Sequence, residues 1–297
     1  MANLKELKNR IKSVNDTKKI TNAMYLISSN KMNKAKREFE STKPYFDLLK
    51  EEIISVFNCA EEIDCKYFVD DKEDENGIYG YLVISSDKGL CGAYNENIVR
   101  LAVPELNKRE KKEVYVIGEY ARNYLKSRNI KTVEDFRYLA TNPTLRRARE
   151  IANRFLMDFY DRRMTKLFVI YTDFQNAMVG GIPKIVKVLP FDREEFVTEG
   201  KERQNISFYP SPEDVLKSMV ESYLTGYIYS ILVSSFSSEQ VERRNAMDNA
   251  NKNAKEILDD LSLRYNRARQ DKITGEIIEV SAGAKAKKKK ESEGGVS

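Results

Sequence analysis

Two very long helical patterns, one at each end of the chain, restrict what this sequence can fold into. Residues 3–57 contain no glycine, and residues 212–280 contain only Gly226 and Gly275. An α-helix rises about 1.5 Å per residue, so these segments would be roughly 80 and 100 Å long. The core of one domain cannot cover helices of that length. We therefore expect them to pack against each other and to be surrounded by other proteins.

Apolar residues recur every three or four positions along both segments, which is typical of amphipathic helices. The second segment adds small alanines that permit close helix approach, so the pair is predicted to form an antiparallel coiled coil. Pro44 should kink or restart the first helix, because it removes a backbone hydrogen bond. The apolar positions include Leu4, Leu7, Ile11 and Val14, and then Met247, Ala250, Ala254, Ile257, Leu261, Tyr265 and Ala268.

Amide and guanidinium side chains are concentrated on the expected outer face of the second segment. Such groups form multidentate hydrogen bonds, and arginine is enriched at protein interfaces. A solvated face and a face surrounded by protein explain this composition equally well. The residues are Gln240, Arg243, Arg244, Asn245, Asn249, Asn251, Asn253, Asn266, Arg267, Arg269 and Gln270.

The middle of the chain has the pattern of an α/β domain. Runs of β-branched and aromatic residues predict strands at 79–85, 114–118, 167–172 and 184–189. Amphipathic stretches that separate the first three strands predict helices at 94–107, 119–128 and 145–163. This alternation indicates a small Rossmann-like parallel sheet. The last run follows the Gly180–Gly181 turn and favours an antiparallel edge strand.

The expected fold is thus α/β plus a long antiparallel coiled coil, with the Rossmann-like domain inserted between two shaft helices. The expected bounds are 1–57 and 212–280 for the shaft helices, 58–211 for the α/β domain and 281–297 for a basic flexible tail. Lys285 and the lysines at 287–290 favour a solvated tail. Contact with an acidic partner, a phosphate backbone or an anionic membrane is the alternative.

The composition excludes several kinds of catalytic site. The chain has no histidine, which excludes Cys–His and Ser–His catalysis and His-ligated metals. Cys59, Cys65 and Cys91 have no CxxC spacing, so neither a zinc knuckle nor a redox pair is indicated. A Cys59–Cys65 disulfide stays open, but reduced thiols are favoured. With no apolar run of membrane-span length and no leading signal pattern, we expect a location in the cytoplasm or at the cytoplasmic face of a membrane.

The turn after the first strand, residues 85–95, contains Gly89 and Gly92. Such a turn could hold a phosphate at a helix N-terminus, yet neither GxGxxG nor GxxxxGK[ST] occurs in the chain. Tight turning and close packing explain these glycines better. Asp87 is expected to be a turn or cap residue, and Cys91 has no histidine base that would activate it. We expect no catalytic residue, cofactor or metal.

Three segments of the chain closely resemble the F-type ATP synthase gamma subunit. They are residues 11–24, the turn at 86–92, and the pattern that runs from Ala246 to Ile277. The segments occur in the family's order and span nearly the whole chain, so their combination is highly specific. The chain departs from the family at Asn22 and Tyr25, where a lysine and often a charged residue are usual.

The resemblance implies a non-catalytic rotor subunit that couples transmembrane ion flow to the nucleotide affinities of the catalytic beta subunits. Its shaft would lie inside a ring of alternating alpha and beta subunits. Its α/β domain would contact the epsilon subunit and the membrane rotor ring. It further implies polar, replaceable shaft contacts, no nucleic-acid partner and peripheral association with the cytoplasmic face of a bacterial membrane.

The resemblance also implies interface residues. Met24 matches the family's methionine near the acidic lever loop of the beta subunit, whereas the others match positions that bond to beta subunits or brace the shaft. Ordinary solvation of a coiled coil is the alternative for each of them. These others are Arg243, Arg269, Gln270, Thr274 and Glu276.

Two rival functions stay open at this point. The first is a coiled-coil scaffold whose α/β head binds a nucleotide. The second is an enzyme that uses Asp87 and Cys91.

Overall fold

A computed structural model of the 297-residue chain describes residues 4–59, 67–68, 77–176, 180–196 and 208–293. The chain divides into two compact units. The helical unit combines Met1–Tyr25 with Met247–Ser297, and the head unit is Leu26–Ala246. The boundary between the units therefore falls within both long helices.

The two long helices are α1, Leu4–Cys59, and α5, Pro212–Glu293. Helix α1 continues through Pro44 and does not restart after it. The hydroxyls of Ser41 and Thr42 add hydrogen bonds to backbone carbonyls in the turn before this proline. Helix α5 does not end near 280, because it continues through the basic segment to Glu293. Alanine and lysine are strong helix formers, so the composition that suggested a flexible tail also favours a helix.

The sheet of the head unit has four strands in the order β2-β1-β3-β4. Strands β1, Tyr79–Ile84, β2, Lys112–Ile117, and β3, Lys166–Asn176, are parallel. Strand β4, Gly180–Leu189, pairs antiparallel with β3 at the edge, as its alternating pattern predicted. The connecting helices are α2, Tyr94–Asn107, α3, Glu119–Ser127, and α4, Leu145–Tyr160, and a short 3-10 helix spans Arg193–Glu195.

Two apolar cores cover the two faces of this sheet. Alternation along β1 sends Tyr81 and Val83 to one face, where they pack with residues of α2 and α3. The same alternation sends Leu82 and Ile84 to the other face, which is covered by α4 and the head portions of α1 and α5. The head is therefore a three-layer α/β structure, and the long helices form part of its core.

Helices α1 and α5 run antiparallel in each unit. In the head unit, Phe39 packs against Tyr229 with ring centroids 6.1 Å apart. In the helical unit, the Thr21 hydroxyl donates to the side-chain oxygen of Asn251, and Leu7 and Leu261 are buried. These contacts confirm an antiparallel helix pair. Within the described residues, no helix is both long enough and apolar enough to cross a membrane.

Gly226 marks the closest approach between α1 and α5 in the head unit. A Cβ at this position would lie 2.1 Å from Cδ1 of Phe46. We expect Gly226→Ala to lower the free energy of unfolding by about 1–3 kcal/mol, because overpacking forces the Phe46 ring or the helices apart. Thermal and chemical denaturation of the purified chain would measure this change.

The matched control is Gly275→Ala, a helical glycine in α5 whose Cβ would meet no atom within 4 Å. Here alanine should raise stability slightly, since it only removes the conformational freedom of glycine. Equal effects at both positions would contradict the close-approach explanation.

Candidate functional site

The head sheet has a topological switch point between β1 and β3, because the chain leaves β1 toward β2 and later returns on the other side. Ligands of open α/β sheets bind in the crevice at such a point. Helix α5 of the same chain fills this crevice. The Ser234 hydroxyl accepts a 2.7 Å hydrogen bond from the Phe174 backbone N–H. Ser238 donates to the Thr172 carbonyl, and Ser235 shares a 2.8 Å hydrogen bond with Tyr94 of α2.

A carboxylate from α5 also lies at the N-terminal end of α2, where a phosphate would be expected to bind. A Cβ on Gly92 would lie 3.0 Å from one Glu242 carboxylate oxygen, and a Cβ on Gly180 would lie 2.6 Å from the other. Gly92 also has a φ of +56°, which favours glycine. A negative charge near a helix N-terminus is favourable, and the Glu242 carboxylate lies against the glycine two residues before α2.

Asp87 serves as a loop anchor. Its carboxylate oxygens accept hydrogen bonds from the backbone N–H groups of Ala140 and Thr141, at 3.2 and 3.1 Å. Both acceptors are therefore engaged in holding the loop that precedes α4. This geometry fits the turn or cap role that the sequence favoured for Asp87.

Cys91 is buried, with 2% of its surface exposed. The side-chain amide of Asn95 donates to its sulfur at 3.2 Å, and the Ser86 hydroxyl lies 3.7 Å from it. Burial raises the pKa of the Cys91 thiol above its usual value. The neutral thiol is thus the prevailing form at neutral pH, and the nucleophilic thiolate is disfavoured. The Cys59–Cys65 pair falls outside the side chains that the structure describes.

A buried charge pair joins α5 to the turn after β1. One guanidinium nitrogen of Arg243 contacts Glu239, and the other donates to the carbonyls of Lys88 and Gly89 at 3.1 and 3.2 Å. The side chains of Arg243 and Glu239 are only 12% and 3% exposed. Burial raises the pKa of Glu239, and the charge of Arg243 opposes that shift. Arg243 therefore forms its polar contacts inside this chain.

The other expected interface residues lie in the helical unit, in two separate places. Met24 is half-buried on α1, beyond the Thr21–Asn251 contact. At about 1.5 Å per residue, it lies roughly 30 Å along the helix pair from the second group. That second group is exposed along α5 and comprises Arg269, Gln270, Thr274 and Glu276.

Several side chains that were expected on the exposed outer face of α5 are buried or contact other parts of the chain. Gln240 is buried, Arg243 is mostly buried and Asn251 contacts α1. The C-terminal part of α5 also exposes large apolar side chains. The exposed fractions of these residues are 45% for Ile273, 63% for Ile277, 61% for Ile278 and 73% for Val280.

A groove of about 950 Å³ in the helical unit has an apolar floor that includes Leu4 and Leu261. Its rim holds more basic than acidic side chains, namely Arg10, Arg264, Arg267 and Lys272 against Glu6 and Asp271. Residues of α5 beyond Lys272 extend past Leu4, the described start of α1. Among the residues described, no cluster of three or more Cys, Asp or Glu side chains is arranged to hold a metal ion.

Sequence reasoning missed Glu239 and Glu242 and the joint that they form with the turn. The signal that could have found this joint is the run of small polar residues in α5, since serines on a long helix permit close approach of strands and loops. Ser234, Ser235 and Ser238 all make such contacts.

Comparison with known proteins finds similarity to one family along nearly the whole chain. A family model described as ATP synthase matches residues 3–286. The ATP synthase gamma chain of Ruminiclostridium cellulolyticum is 37% identical over 295 residues, which cover 96% of this chain and 98% of the relative. The gamma chain of Caldanaerobacter subterraneus is 36% identical over 290 residues, which cover 93% of this chain and 97% of the relative.

Solved structures share the fold at lower sequence identity. A chain in the OSCP/F1/c-ring structure of the Euglena gracilis mitochondrial ATP synthase matches with a TM-score of 0.64 and 15% identity, over 95% of this chain and 94% of that chain. A chain in the central stalk/c-ring structure of the Tetrahymena thermophila mitochondrial ATP synthase matches with a TM-score of 0.54 and 22% identity, over 78% of this chain and 99% of that chain.

Two paired terminal helices joined to an inserted α/β head thus define the fold of a central-stalk subunit. The chain belongs to the ATP synthase gamma chain family, as the sequence resemblance predicted.

The burial of Cys91 leads to a prediction about its reactivity. In a chain that carries Cys59→Ser and Cys65→Ser, we expect iodoacetamide to modify Cys91 roughly tenfold or more slowly in the folded than in the unfolded chain. The rate should rise with pH, because the pKa of the folded thiol is raised and more thiolate forms only at higher pH. Mass spectrometry of timed samples would measure both rates. Fast modification of the folded chain near pH 7 would contradict the assignment.

Proposed function

We propose that this chain is the central-stalk rotor subunit of an F-type ATP synthase, in which it couples transmembrane ion flow to conformational changes of the catalytic beta subunits. The observation that carries this proposal is the single 82-residue helix α5. Its first part belongs to the core of the head, and its last part pairs with the start of α1. One continuous helix is suited to transmit rotation along its length.

A non-catalytic role within the complex forms part of the proposal. Asp87 is engaged by two backbone N–H groups, and Cys91 is buried as a neutral thiol. Helix α5 fills the switch-point crevice, and Glu242 lies at the N-terminus of α2. These contacts disfavour both the enzyme that uses Asp87 and Cys91 and the nucleotide-binding scaffold.

The partners that we propose are the alpha and beta subunits around the shaft, and the epsilon subunit and membrane rotor ring at the head. Residues 1–57 and 212–280 would supply the shaft, and residues 58–211 the head. The complex is peripheral to a membrane, and we propose the cytoplasmic face of a bacterial cell membrane for this one. The exposed apolar side chains from Ile273 to Val280 support a shaft end that is enclosed by partners.

Within this complex, we propose Met24, Arg269, Gln270, Thr274 and Glu276 as interface residues. Exposure supports this role for the four residues of α5. For Arg243 we propose the bracing role, since its guanidinium is bonded to Glu239 and to the turn.

Co-expression with candidate alpha and beta subunits tests the proposed function directly. We expect a stable complex with one copy of this chain to three of each partner, whose ATPase activity is lost when this chain is omitted. Calorimetric titration of the isolated chain with ATP should give no binding in the micromolar range. A chain that purifies alone, ignores both partners and binds ATP would support the nucleotide-binding scaffold instead.

The interface assignment gives a separate prediction for α5. We expect the double substitution Arg269→Ala and Gln270→Ala to reduce ATP synthesis in membrane vesicles by roughly tenfold. Loss of two interfacial hydrogen bonds of about 1 kcal/mol each supports this magnitude. Circular dichroism of the purified chain should be unchanged, because both side chains are exposed.

Arg264→Ala serves as its control on the same helix. The Arg264 guanidinium pairs with Asp260 of α5 itself, so its removal should have a smaller effect on synthesis. Equal rates for the double variant and the unsubstituted chain would exclude Arg269 and Gln270 from the interface.

A further inference from the structure

The turn between β1 and α2 presents two backbone carbonyls to a single side chain of α5. The carbonyls belong to Lys88 and Gly89, and both accept from the same guanidinium nitrogen of Arg243. The turn is otherwise fixed by its own contacts, since the Ser86 hydroxyl donates to the Lys88 carbonyl at 2.7 Å. Leu90 has a φ of +62°, so this is a tightly specified turn. A planar guanidinium can bond two adjacent acceptors at once, which a lysine ammonium does less well.

Glu239 determines where that guanidinium lies. It precedes Arg243 by one helical turn, and its carboxylate contacts the second guanidinium nitrogen. Without this carboxylate, a cation that is only 12% exposed would be held by neutral carbonyls alone. Leaving one member of a buried pair without its partner is strongly unfavourable. The Arg243 side chain would then be expected to turn toward solvent and release the turn.

Glu239 also accepts a long 3.4 Å hydrogen bond from the side-chain amide of the adjacent Gln240. It is 2% exposed, and its second carboxylate oxygen has no hydrogen-bond partner among the described residues. A carboxylate in such a place is unfavourable by itself. Its presence is explained if Arg243 must be held in one position.

The contacts of α5 with the head come from several directions around the helix. Ser234 and Ser238 reach β3, Ser235 reaches α2, and Arg243 reaches the turn after β1. Of these four side chains, Arg243 is the charged one, and it joins Glu239 of α5 to the turn at Lys88 and Gly89. It lies next to Ala246, where the head unit ends and α5 continues into the helical unit. Torque that α5 carries is resisted by its core packing and its polar contacts in the head, and the Arg243 contact is the nearest of the four polar contacts to the end of the head unit.

We propose that Glu239 is a positioning residue that holds Arg243 across the Lys88 and Gly89 carbonyls, and that this clamp prevents α5 from turning relative to the head sheet. The proposal rests on the rotor function proposed above. The clamp acts only when the helix is under load, so its loss should impair coupling more than assembly.

The test uses the full chain assembled with its alpha and beta partners and the membrane sector. Glu239→Ala, Arg243→Ala and the double variant are compared for ATP hydrolysis and for ions pumped per ATP hydrolysed. We expect assembly to persist and hydrolysis to stay within about twofold, because the serine contacts remain. Pumping per ATP should fall by about threefold or more in each single variant, and no further in the double variant, since both remove the same clamp.

Conservative variants separate positioning from a general structural role. The amide oxygen of Glu239→Gln can still accept from Arg243 but no longer neutralises its charge, so this variant should lose clearly less coupling than Glu239→Ala. Arg146→Ala is the matched control, because Arg146 also pairs with a glutamate four residues away, Glu150, but on exposed α4. It should couple like the unsubstituted chain.

Two results would overturn the clamp. One is normal pumping per ATP in Arg243→Ala, and the other is losses in the two single variants that add in the double variant. Equal losses in Glu239→Gln and Glu239→Ala would likewise exclude the positioning role. If the unsubstituted chain forms no complex with its partners, the rotor function fails first, and the clamp fails with it.

Discussion

The mutual burial of two helices that are too long for one domain to cover is the constraint on which this structure depends. Apolar side chains of α1 pack against apolar side chains of α5, in the head as well as in the helical unit. Gly226 lets the helices meet at Phe46, and the Thr21–Asn251 contact sets their register nearer the end. Every other element is added to this pair, because the inserted α/β domain uses the same two helices to cover one face of its sheet.

In the head, α5 of the same chain occupies the crevice in which proteins of this fold class commonly bind a ligand. In open α/β sheets, the crevice at the switch point ordinarily accepts a nucleotide or another small molecule. Here a run of small polar residues brings α5 close enough for hydroxyl groups to reach β3 and α2. The Glu242 carboxylate lies beside Gly92, two residues before α2. The same geometry that binds phosphates elsewhere therefore binds part of the chain itself, which explains an α/β head without nucleotide fingerprints.

Much of the fold could be predicted because it depends on local patterns. The β-branched runs and the amphipathic stretches predicted all four strands, the three shorter helices and the antiparallel edge. The restart at Pro44 was wrong, since α1 continues through it, and the lysine-rich end is helical to Glu293 because alanine and lysine favour a helix. The joint could not be predicted, since Glu239 and the carbonyls of Lys88 and Gly89 are far apart in sequence. Spacing on one helix reveals the Glu239–Arg243 pair but not what that pair holds.

The stretch of α5 past Lys272 has a mechanical consequence. Among the described residues, α1 begins at Leu4, so the end of α5 continues as a single helix while the remainder is doubled by α1. A single helix bends and twists more readily than a packed pair, because its stiffness comes from its own backbone hydrogen bonds alone. Within the helical unit, the paired section is therefore stiffer than the unpaired end of α5, and that end can twist elastically when a load is applied to it.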